Sequence, residues 1–166
     1  IMDATARMEE MLSELLQLTR SGEVIGDRTT FDLERLVRST WDSLETDEAT
    51  LRLSAPITVE GDVGRLRQVF ENLFENALRH AGRDVTVHVG VEEQAAETVI
   101  SVADDGPGIP ESRRDAVFEW GHSTGSEGTG FGLAIVAQIV QAHGWTFDVT
   151  VAEDGGARFE IAIPGE

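Results

Sequence analysis

The sequence predicts an α+β fold, a two-layer sandwich in which helices cover a sheet, with an additional helix at the N-terminus. Three observations carry this prediction: amphipathic helical segments recur along the chain, strands come in adjacent pairs, and no internal repeat is visible. Adjacent strands pair as antiparallel hairpins, which favours a sandwich over a doubly wound parallel sheet. We divide the chain into an N-terminal helix at residues 1–22 and a sandwich domain at residues 23–166.

The N-terminal helix is predicted from a heptad-like seam over residues 1–20, which the pair Ser21-Gly22 ends. Apolar residues recur there at alternating intervals of three and four, namely Ile1, Ala4, Met8, Met11, Leu15 and Leu18. Such a seam suits a helix that packs on its own domain, and it suits equally a helix in an intermolecular bundle.

The remaining elements follow from helix caps and from apolar periodicity. After a short strand, Thr30 or Asp32 can cap a helix that ends near Leu44, and Asp62 can cap a longer helix that ends near His80. Alternation or apolar runs predict strands at 51–53, 57–59, 85–91, 98–103, 147–151 and 157–163. We also predict helices at 110–118 and 131–142, a mobile loop at 119–130, and a hairpin turn at 154–156.

The composition is acidic and free of cysteine. Asp and Glu total 31 against 13 basic residues, all of them Arg, and the formal net charge is −18. This balance disfavours nucleic acid and anionic membrane surfaces as partners, and the lack of cysteine excludes disulfides and cysteine-ligated zinc. A halophilic source explains the dense carboxylates, and a GC-rich genome explains the preference for Arg equally well.

No apolar run approaches the length of a membrane span. We therefore expect a cytoplasmic location without membrane contact by this segment. Because the chain opens at Ile1, we expect it to be a fragment, and the full-length protein can still carry a membrane anchor.

The helix predicted from Asp62 to His80 carries two distinct faces. Its apolar stripe comprises Val63, Leu66, Val69, Phe70, Leu73, Phe74 and Ala77. Polar residues recur on another face, namely Arg65, Gln68, Asn72, Asn76 and Arg79 or His80. Two Asn on one face are unusual, because Asn is a mediocre helix former. An exposed polar face is one explanation; the other is a site, since an amide oxygen suits Mg²⁺ and an Arg suits phosphate.

A turn rich in glycine and proline, Asp104-Asp105-Gly106-Pro107-Gly108-Ile109-Pro110, follows an apolar strand directly. Gly106 and Gly108 permit a tight turn with close approach of a ligand. An ionised carboxylate only accepts hydrogen bonds, so a buried Asp104 would prefer adenine, with its exocyclic amine, to guanine, with a carbonyl at the same position. The alternative is a surface turn, because Asp-Gly and Gly-Pro pairs are common in turns.

A glycine loop, Gly128-Thr129-Gly130-Phe131-Gly132-Leu133, opens the helix at 131–142. Its backbone N–H groups could approach phosphates at a helix N-terminus. It is not a dinucleotide fingerprint, because it follows a flexible loop rather than a strand, and it is not a Walker A motif, because the chain has no Lys.

In order and spacing these segments resemble the histidine-kinase-type ATPase domains of the GHKL superfamily, which share the Bergerat fold. The resemblance covers residues 28–164 and rests on four ordered boxes: Asn72–Asn76 with Arg79-His80, Asp104–Gly108, Val117-Phe118-Glu119 and Gly128–Gly132. Four motifs in one order are far more specific than any one of them.

The resemblance implies ATP and Mg²⁺ as cofactors and gives roles to individual residues. Asn76 resembles the Mg²⁺ ligand, Asn72 and Arg79 resemble the catalytic pair near the phosphates, and Asp104 resembles the adenine-binding Asp. Further nucleotide contacts implied in this way are His80, Gly106, Gly108, Ile109, Phe118, Thr124, Gly128, Thr129, Gly130, Phe131, Gly132 and Leu133. The segment Trp120–Thr124 departs from the Arg-Phe that usually follows the Phe118-Glu119 pair, so hydroxyl donors such as Thr124 would replace a lid-borne phosphate contact.

The position one turn before the metal-binding Asn separates the branches of the superfamily. ATP-hydrolysing members carry a catalytic Glu there, whereas this chain has Asn72, and Glu71 and Glu75 point to other sides of the helix. The resemblance therefore implies a sensor histidine kinase that transfers the γ-phosphoryl group of ATP to a His on a separate helix.

None of the four His residues is followed by an acidic residue in a suitable helix, so we expect the acceptor outside this chain. Residues 1–22 are then the second helix of a dimerisation hairpin. The implied partners are the acceptor helix, a response-regulator receiver domain and a second copy of the protein. The alternatives are a nucleotide-gated dimerisation or binding module without transfer activity, and a serine-directed anti-sigma kinase of the same fold.

Overall fold

The computed structural model describes Met8, Leu12 and residues 26–46, 48–54, 56–81, 84–106, 132–152 and 155–165 of the chain. Within these ranges, helices and strands alternate in the order expected of an α+β domain. They are β1 (Thr29–Asp32), α1 (Leu33–Asp42), β2 (Thr50–Ser54), β3 (Thr58–Gly61), α2 (Val63–Ala81), β4 (Thr86–Glu93), β5 (Glu97–Asp104), α3 (Gly132–Ala142), β6 (Thr146–Val151) and β7 (Ala157–Pro164).

The main sheet has five strands in the order β2-β4-β5-β7-β6, and β1 pairs with β3 in a separate antiparallel ribbon. The pairs β4–β5 and β6–β7 are antiparallel hairpins of strands adjacent in the chain, as predicted. The pair β5–β7 is also antiparallel but joins strands that are not adjacent in the chain. The adjacent strands β2 and β3 do not pair with each other, contrary to the expected pattern. The pair β2–β4 is parallel, which the sequence pattern did not indicate. Parallel neighbours need a crossover connection, and the long helix α2 supplies it. The predicted α+β sandwich is confirmed.

Each of the two helices with a predicted cap begins at the residue directly after a capping Asp. Asp32, rather than Thr30, caps α1: its Oδ1 accepts a hydrogen bond from the Arg35 backbone N–H at 3.3 Å. Asp62 Oδ1 likewise accepts from the Arg65 N–H at 3.2 Å, at the start of α2. Each bond satisfies an N–H that the helix itself leaves without a partner.

One hydrophobic core lies between the helices and the main sheet. Its helical side includes Leu66, Val69, Phe70, Leu73, Phe74 and Ala77 of α2, as predicted. Val63, which we placed in the same stripe, is instead 36 % exposed. Side chains lean toward the N-terminus of a helix, so a residue at the first position points past the packed part. Trp41 of α1 meets Phe74 edge-on at 5.2 Å and joins the two helices.

The predicted closing hairpin is confirmed by its turn. Gly155 has φ +88°, a conformation that glycine adopts without strain, and its N–H donates to the Ala152 carbonyl at 2.9 Å. The Ala152 N–H donates to the Gly156 carbonyl at 2.8 Å. These bonds fix the turn that joins β6 to β7.

Of the predicted N-terminal helix, the structure describes Met8 and Leu12, which are helical and 63 % and 59 % exposed. The rest of residues 1–22, the predicted helix at 110–118 and the loop at 119–130 lie outside the described residues. In the part of the chain that the structure describes, no helix has the length and apolar character that a membrane span needs.

Candidate nucleotide-binding site

Asp104 lies at the C-terminal end of β5, the central strand of the main sheet. Alternate residues of a strand face the same side, so Asp104 shares its side with Ile100 and Val102, which lie in the core beneath the helices. Asp104 is only 9 % exposed. The chain thus has a buried carboxylate directly after an apolar strand, which is the condition for the adenine preference considered above.

Backbone donors hold this carboxylate from two directions. Asp104 Oδ1 accepts hydrogen bonds from the Gly106 N–H at 2.9 Å and from the Ala157 N–H at 3.3 Å. The neighbouring Asp105 Oδ1 accepts from the Thr86 N–H at 3.0 Å. The start of the predicted turn is therefore tied to β7 through Asp104 and to β4 through Asp105.

Gly156 was missed by the sequence reasoning, which treated it only as part of a hairpin turn. A Cβ atom built on Gly156 would overlap the Asp104 carbonyl oxygen and would lie 2.7 Å from Asp104 Oδ1. Real Cβ contacts are not that short, so the approach requires glycine. The local signal, Asp-Gly-Gly, predicts the turn but does not indicate which strand the turn touches.

The polar face of α2 lies beside the start of α3. Asn72, Asn76 and Arg79 are half-buried on it. Asn72 Nδ2 donates to the carbonyl of Gly132, the first residue of α3, at 3.4 Å. The structure thus brings the Asn-bearing helix face together with the end of the predicted glycine loop.

The nearby carboxylates of α2 are placed away from that face. Glu71 accepts a hydrogen bond from Arg67 Nε at 3.3 Å, one turn earlier, in a half-exposed ion pair. Glu75 is exposed. Neither Glu lies on the helix face of Asn72 and Asn76, which agrees with the prediction from helical spacing.

Several predicted site residues cannot be described. His80 belongs to α2, but its side chain lies outside the described residues. Gly108, Ile109, Phe118, Thr124, Gly128, Thr129, Gly130 and Phe131 also lie outside them. Gly106, at the turn after β5, is described and half-buried. Gly132 and Leu133, which begin α3, are described too, and Leu133 packs against the core.

A second polar cluster lies at the other end of α3 and was not predicted. His143 is 3 % exposed and stacks on Trp145 at 4.5 Å. Its Nδ1 is 2.8 Å from the Ile139 carbonyl, and its Nε2 accepts the Asp62 N–H at 3.1 Å. Arg28 Nη2 donates to the His143 carbonyl at 3.3 Å.

The surroundings of His143 disfavour its charged form. Desolvation by burial lowers the pKa of His143 below its ordinary value of 6.5. The hydrogen bond to the Ile139 carbonyl and the charge of Asp62 oppose that change in pKa, whereas the charge of Arg28 adds to it.

Comparisons with known proteins agree with this geometry. Residues 61–166 match the family described as histidine kinase-, DNA gyrase B- and HSP90-like ATPases. The chain is 35 % identical over 165 residues to the sensor histidine kinase ZraS of Escherichia coli O157:H7, which covers 95 % of this chain and 36 % of ZraS. It therefore spans about a third of the length of the ZraS proteins it matches.

Solved structures give the same result. The mycobacterial sensor histidine kinase MprB superposes with a TM-score of 0.74 at 26 % identity, covering 84 % of this chain and 98 % of the MprB chain. Full-length ShkA, solved in complex with AMPPNP, gives a TM-score of 0.78 at 27 % identity over 93 % of this chain and 35 % of its own. The GHKL resemblance predicted from the motifs is confirmed, and the chain belongs to the histidine kinase-, DNA gyrase B- and HSP90-like ATPase family.

Proposed function

We propose that this chain is the ATP-binding catalytic part of a sensor histidine kinase and donates the γ-phosphoryl group of ATP to a His on a separate helix. The observation that carries the proposal is the buried Asp104 carboxylate, held by the Gly106 and Ala157 N–H groups at the end of the central strand. A carboxylate fixed in this way accepts hydrogen bonds and suits the exocyclic amine of adenine. The relationship to ZraS, a sensor histidine kinase, supports the same assignment.

The α2 face supplies the groups for the triphosphate. Asn76 and Arg79 lie one turn apart and half-buried on it. We assign Arg79 to a phosphate oxygen, because a guanidinium binds phosphate through charge-assisted hydrogen bonds. Asn72 ties this face to the start of α3, which follows the proposed phosphate loop.

The α2 face offers too few ligands to bind Mg²⁺ by itself, so the ion would bind together with the phosphates of the nucleotide. Among the described residues, no group of three or more His, Asp or Glu side chains could hold a metal ion. Mg²⁺ bound beside phosphates typically keeps several waters and takes few protein ligands. When bound, the ion would neutralise phosphate charge, with the Asn76 amide oxygen as its protein ligand.

The same face favours transfer over hydrolysis. Hydrolysis requires a general base that activates water, and Glu71 is paired with Arg67 instead. Phosphoryl transfer to an imidazole is promoted mainly by positioning and by neutralisation of charge. The chain's own residues would hold the nucleotide, and the acceptor would supply the nucleophile.

We further propose residues 1–22 as a helix of the dimerisation hairpin, with residues 23–166 as the catalytic domain. Met8 and Leu12 are helical, exposed and four residues apart, so their side chains lie on one face that another helix can cover. The partners would be the acceptor helix, a receiver domain and a second copy of the protein. A nucleotide-gated binding module without transfer activity is not favoured, because the relatives are sensor histidine kinases.

Phosphotransfer should be tested with the 166-residue chain and with the full-length protein. Isothermal calorimetry with ATP and Mg²⁺ should show binding to the chain, with negligible release of phosphate. With γ-labelled ATP, the full-length protein should acquire an acid-labile, base-stable label that Asp104→Asn greatly reduces. ATP binding without any label on the full-length protein would favour the binding module, and steady ATP hydrolysis by the chain would contradict a donor-only site.

Asn76→Ala tests the proposed Mg²⁺ ligand. Its affinity for ATP should fall about tenfold or more in Mg²⁺, the order expected for one lost charge-assisted contact, and should change little in EDTA. Calorimetry in the two buffers measures the difference, with Glu75→Gln on the exposed side of α2 as the control. Equal losses in both buffers would remove Asn76 as the metal ligand.

A further inference from the structure

The turn between β6 and β7 contacts the Asp104 carboxylate through backbone atoms. Ala157, the residue after Gly156, donates its N–H to Asp104 Oδ1 at 3.3 Å. The two residues are 53 positions apart in sequence, and the pairing of β5 with β7 brings them together. The contact is therefore a product of sheet register rather than of local sequence.

Gly156 is the residue that permits this approach. A Cβ atom at this position would lie 2.7 Å from the Asp104 carbonyl carbon and 2.7 Å from its Oδ1. The carbonyl carbon belongs to the central strand, whose neighbours β4 and β7 fix it on both sides. Added bulk must therefore displace the turn, the carboxylate or both.

We propose that Gly156 is a positioning residue that sets the nucleotide-base specificity of the site. Without a side chain it lets the β6–β7 turn close on Asp104, so that the Ala157 N–H holds the carboxylate in a fixed orientation toward the base. This inference rests on the proposed role of Asp104 in adenine recognition. It adds a second segment of the chain, the hairpin turn, to the determinants of specificity.

The expected consequence of Gly156→Ala is a loss of base discrimination rather than a loss of phosphate contacts. ITP is a suitable competitor, because it carries a carbonyl where ATP carries the exocyclic amine, and a carboxylate cannot donate to it. The wild-type chain should prefer ATP to ITP strongly. We define the ratio as the dissociation constant for ITP divided by that for ATP. In Gly156→Ala this ratio should fall about tenfold or more, which is the size of effect expected for one misplaced hydrogen bond to a charged group.

Gly155→Ala provides a matched control in the same turn. Gly155 has φ +88°, so alanine strains the backbone there, but no atom lies within 4 Å of a Cβ built on it. This variant should lower the melting temperature and retain the wild-type ratio for ATP over ITP. Comparing the two variants separates backbone strain in the turn, which lowers the melting temperature, from displacement of Asp104, which changes the preference for ATP over ITP.

The experiment is calorimetric titration of the 166-residue chain with ATP and with ITP, both in Mg²⁺, after circular dichroism has shown that each variant is folded. A wild-type ratio in Gly156→Ala would overturn the inference, and so would an equal fall in Gly155→Ala. If Gly156→Ala does not fold, Ala157→Pro decides, because it removes the same N–H donor at the first residue of a strand, where proline is tolerated. In that case an unchanged ratio overturns the inference.

Asp104→Asn makes failure of this inference distinguishable from failure of the proposed function. If Asp104→Asn keeps the wild-type ratio, Asp104 does not read the base, and the proposed role of that residue is wrong. If Asp104→Asn abolishes discrimination while Gly156→Ala retains it, the proposed function stands and the positioning role of Gly156 is wrong.

Discussion

At the scale of single residues, His143 is held as a neutral ring in one tautomer. The Ile139 carbonyl can only accept, so Nδ1 must carry the proton, and the Asp62 N–H can only donate, so Nε2 must accept. Protonation at Nε2 would place two N–H groups against each other. The geometry and the burial therefore favour the same uncharged form.

This arrangement predicts a loss of stability in mild acid. The pKa of His143 is lowered in the folded chain, so its contribution to stability is complete above about pH 6.5 and declines as the pH falls from there toward the lowered value. The slope has an upper limit of about 1.4 kcal/mol per pH unit for one group. The free energy of unfolding, measured in urea from pH 8 to pH 5, should fall more steeply in the wild-type chain than in His143→Gln.

The exposed His88 of β4 offers the control for that experiment. His88→Gln makes the same substitution on the surface, so its unfolding curve separates the effect of a His-to-Gln change from the loss of the buried ring. Identical curves for the wild-type chain and His143→Gln would contradict the role of His143. The difference between the wild-type and His143→Gln curves measures what the buried imidazole and its surroundings contribute.

The sequence identified single residues where the cause is local. Asp104 could be found because a carboxylate, two glycines and an apolar strand adjoin one another in the chain. Gly156 and His143 could not be found, because their roles depend on partners brought near by sheet register and by helix packing. A glycine in a turn and a lone His carry no sequence signal that names a distant neighbour.

At the scale of elements, the long helix α2 is joined to α3 at two places, one at each end of α3. Asn72 reaches the first residue of α3, and His143, just after α3, accepts from the residue that precedes α2. The side chain of that residue, Asp62, caps α2 through Oδ1 and accepts the Gly26 N–H through Oδ2 at 2.8 Å. The caps were predictable because they are local, whereas the parallel β2–β4 pair depends on the path of α2.

Asp62 should therefore matter more to stability than the other confirmed cap. Asp32→Ala removes one capping bond and should lower the free energy of unfolding by about 1 kcal/mol. Asp62→Ala removes a capping bond and the bond to Gly26, and should cost about 1 to 2 kcal/mol. Urea unfolding of the two variants at pH 7 measures the comparison. A larger cost for Asp32→Ala would contradict a contribution to stability from both bonds of the Asp62 side chain.

At the scale of the whole molecule, 31 acidic and 13 basic residues give a net charge of −18. Among the described residues, the ion pairs Glu34–Arg38, Arg67–Glu71 and Arg158–Glu160 are all partly exposed. Exposed pairs of this kind contribute little. The excess of negative charge should therefore oppose folding in dilute buffer through self-repulsion.

Salt should relieve this repulsion. The melting temperature should rise between dilute buffer and 1 M NaCl, since the screening length falls from tens of ångströms to about 3 Å. Differential scanning calorimetry measures the change. Glu93, which lines a shallow depression with Asp32 and Glu34, offers a comparison: Glu93→Lys should show a smaller rise. A melting temperature that does not change with salt would argue against a halophilic origin.

The pairing of β5 with β7 also determines when the Asp104 carboxylate can acquire its Ala157 donor during synthesis. Asp104 leaves the ribosome well before Ala157, its hydrogen-bond partner 53 residues later. Until β7 emerges, the central strand lacks one neighbour and the carboxylate lacks that donor. A nucleotide that binds through Asp104, as proposed above, therefore finds the carboxylate with this donor in place only after translation has passed β7.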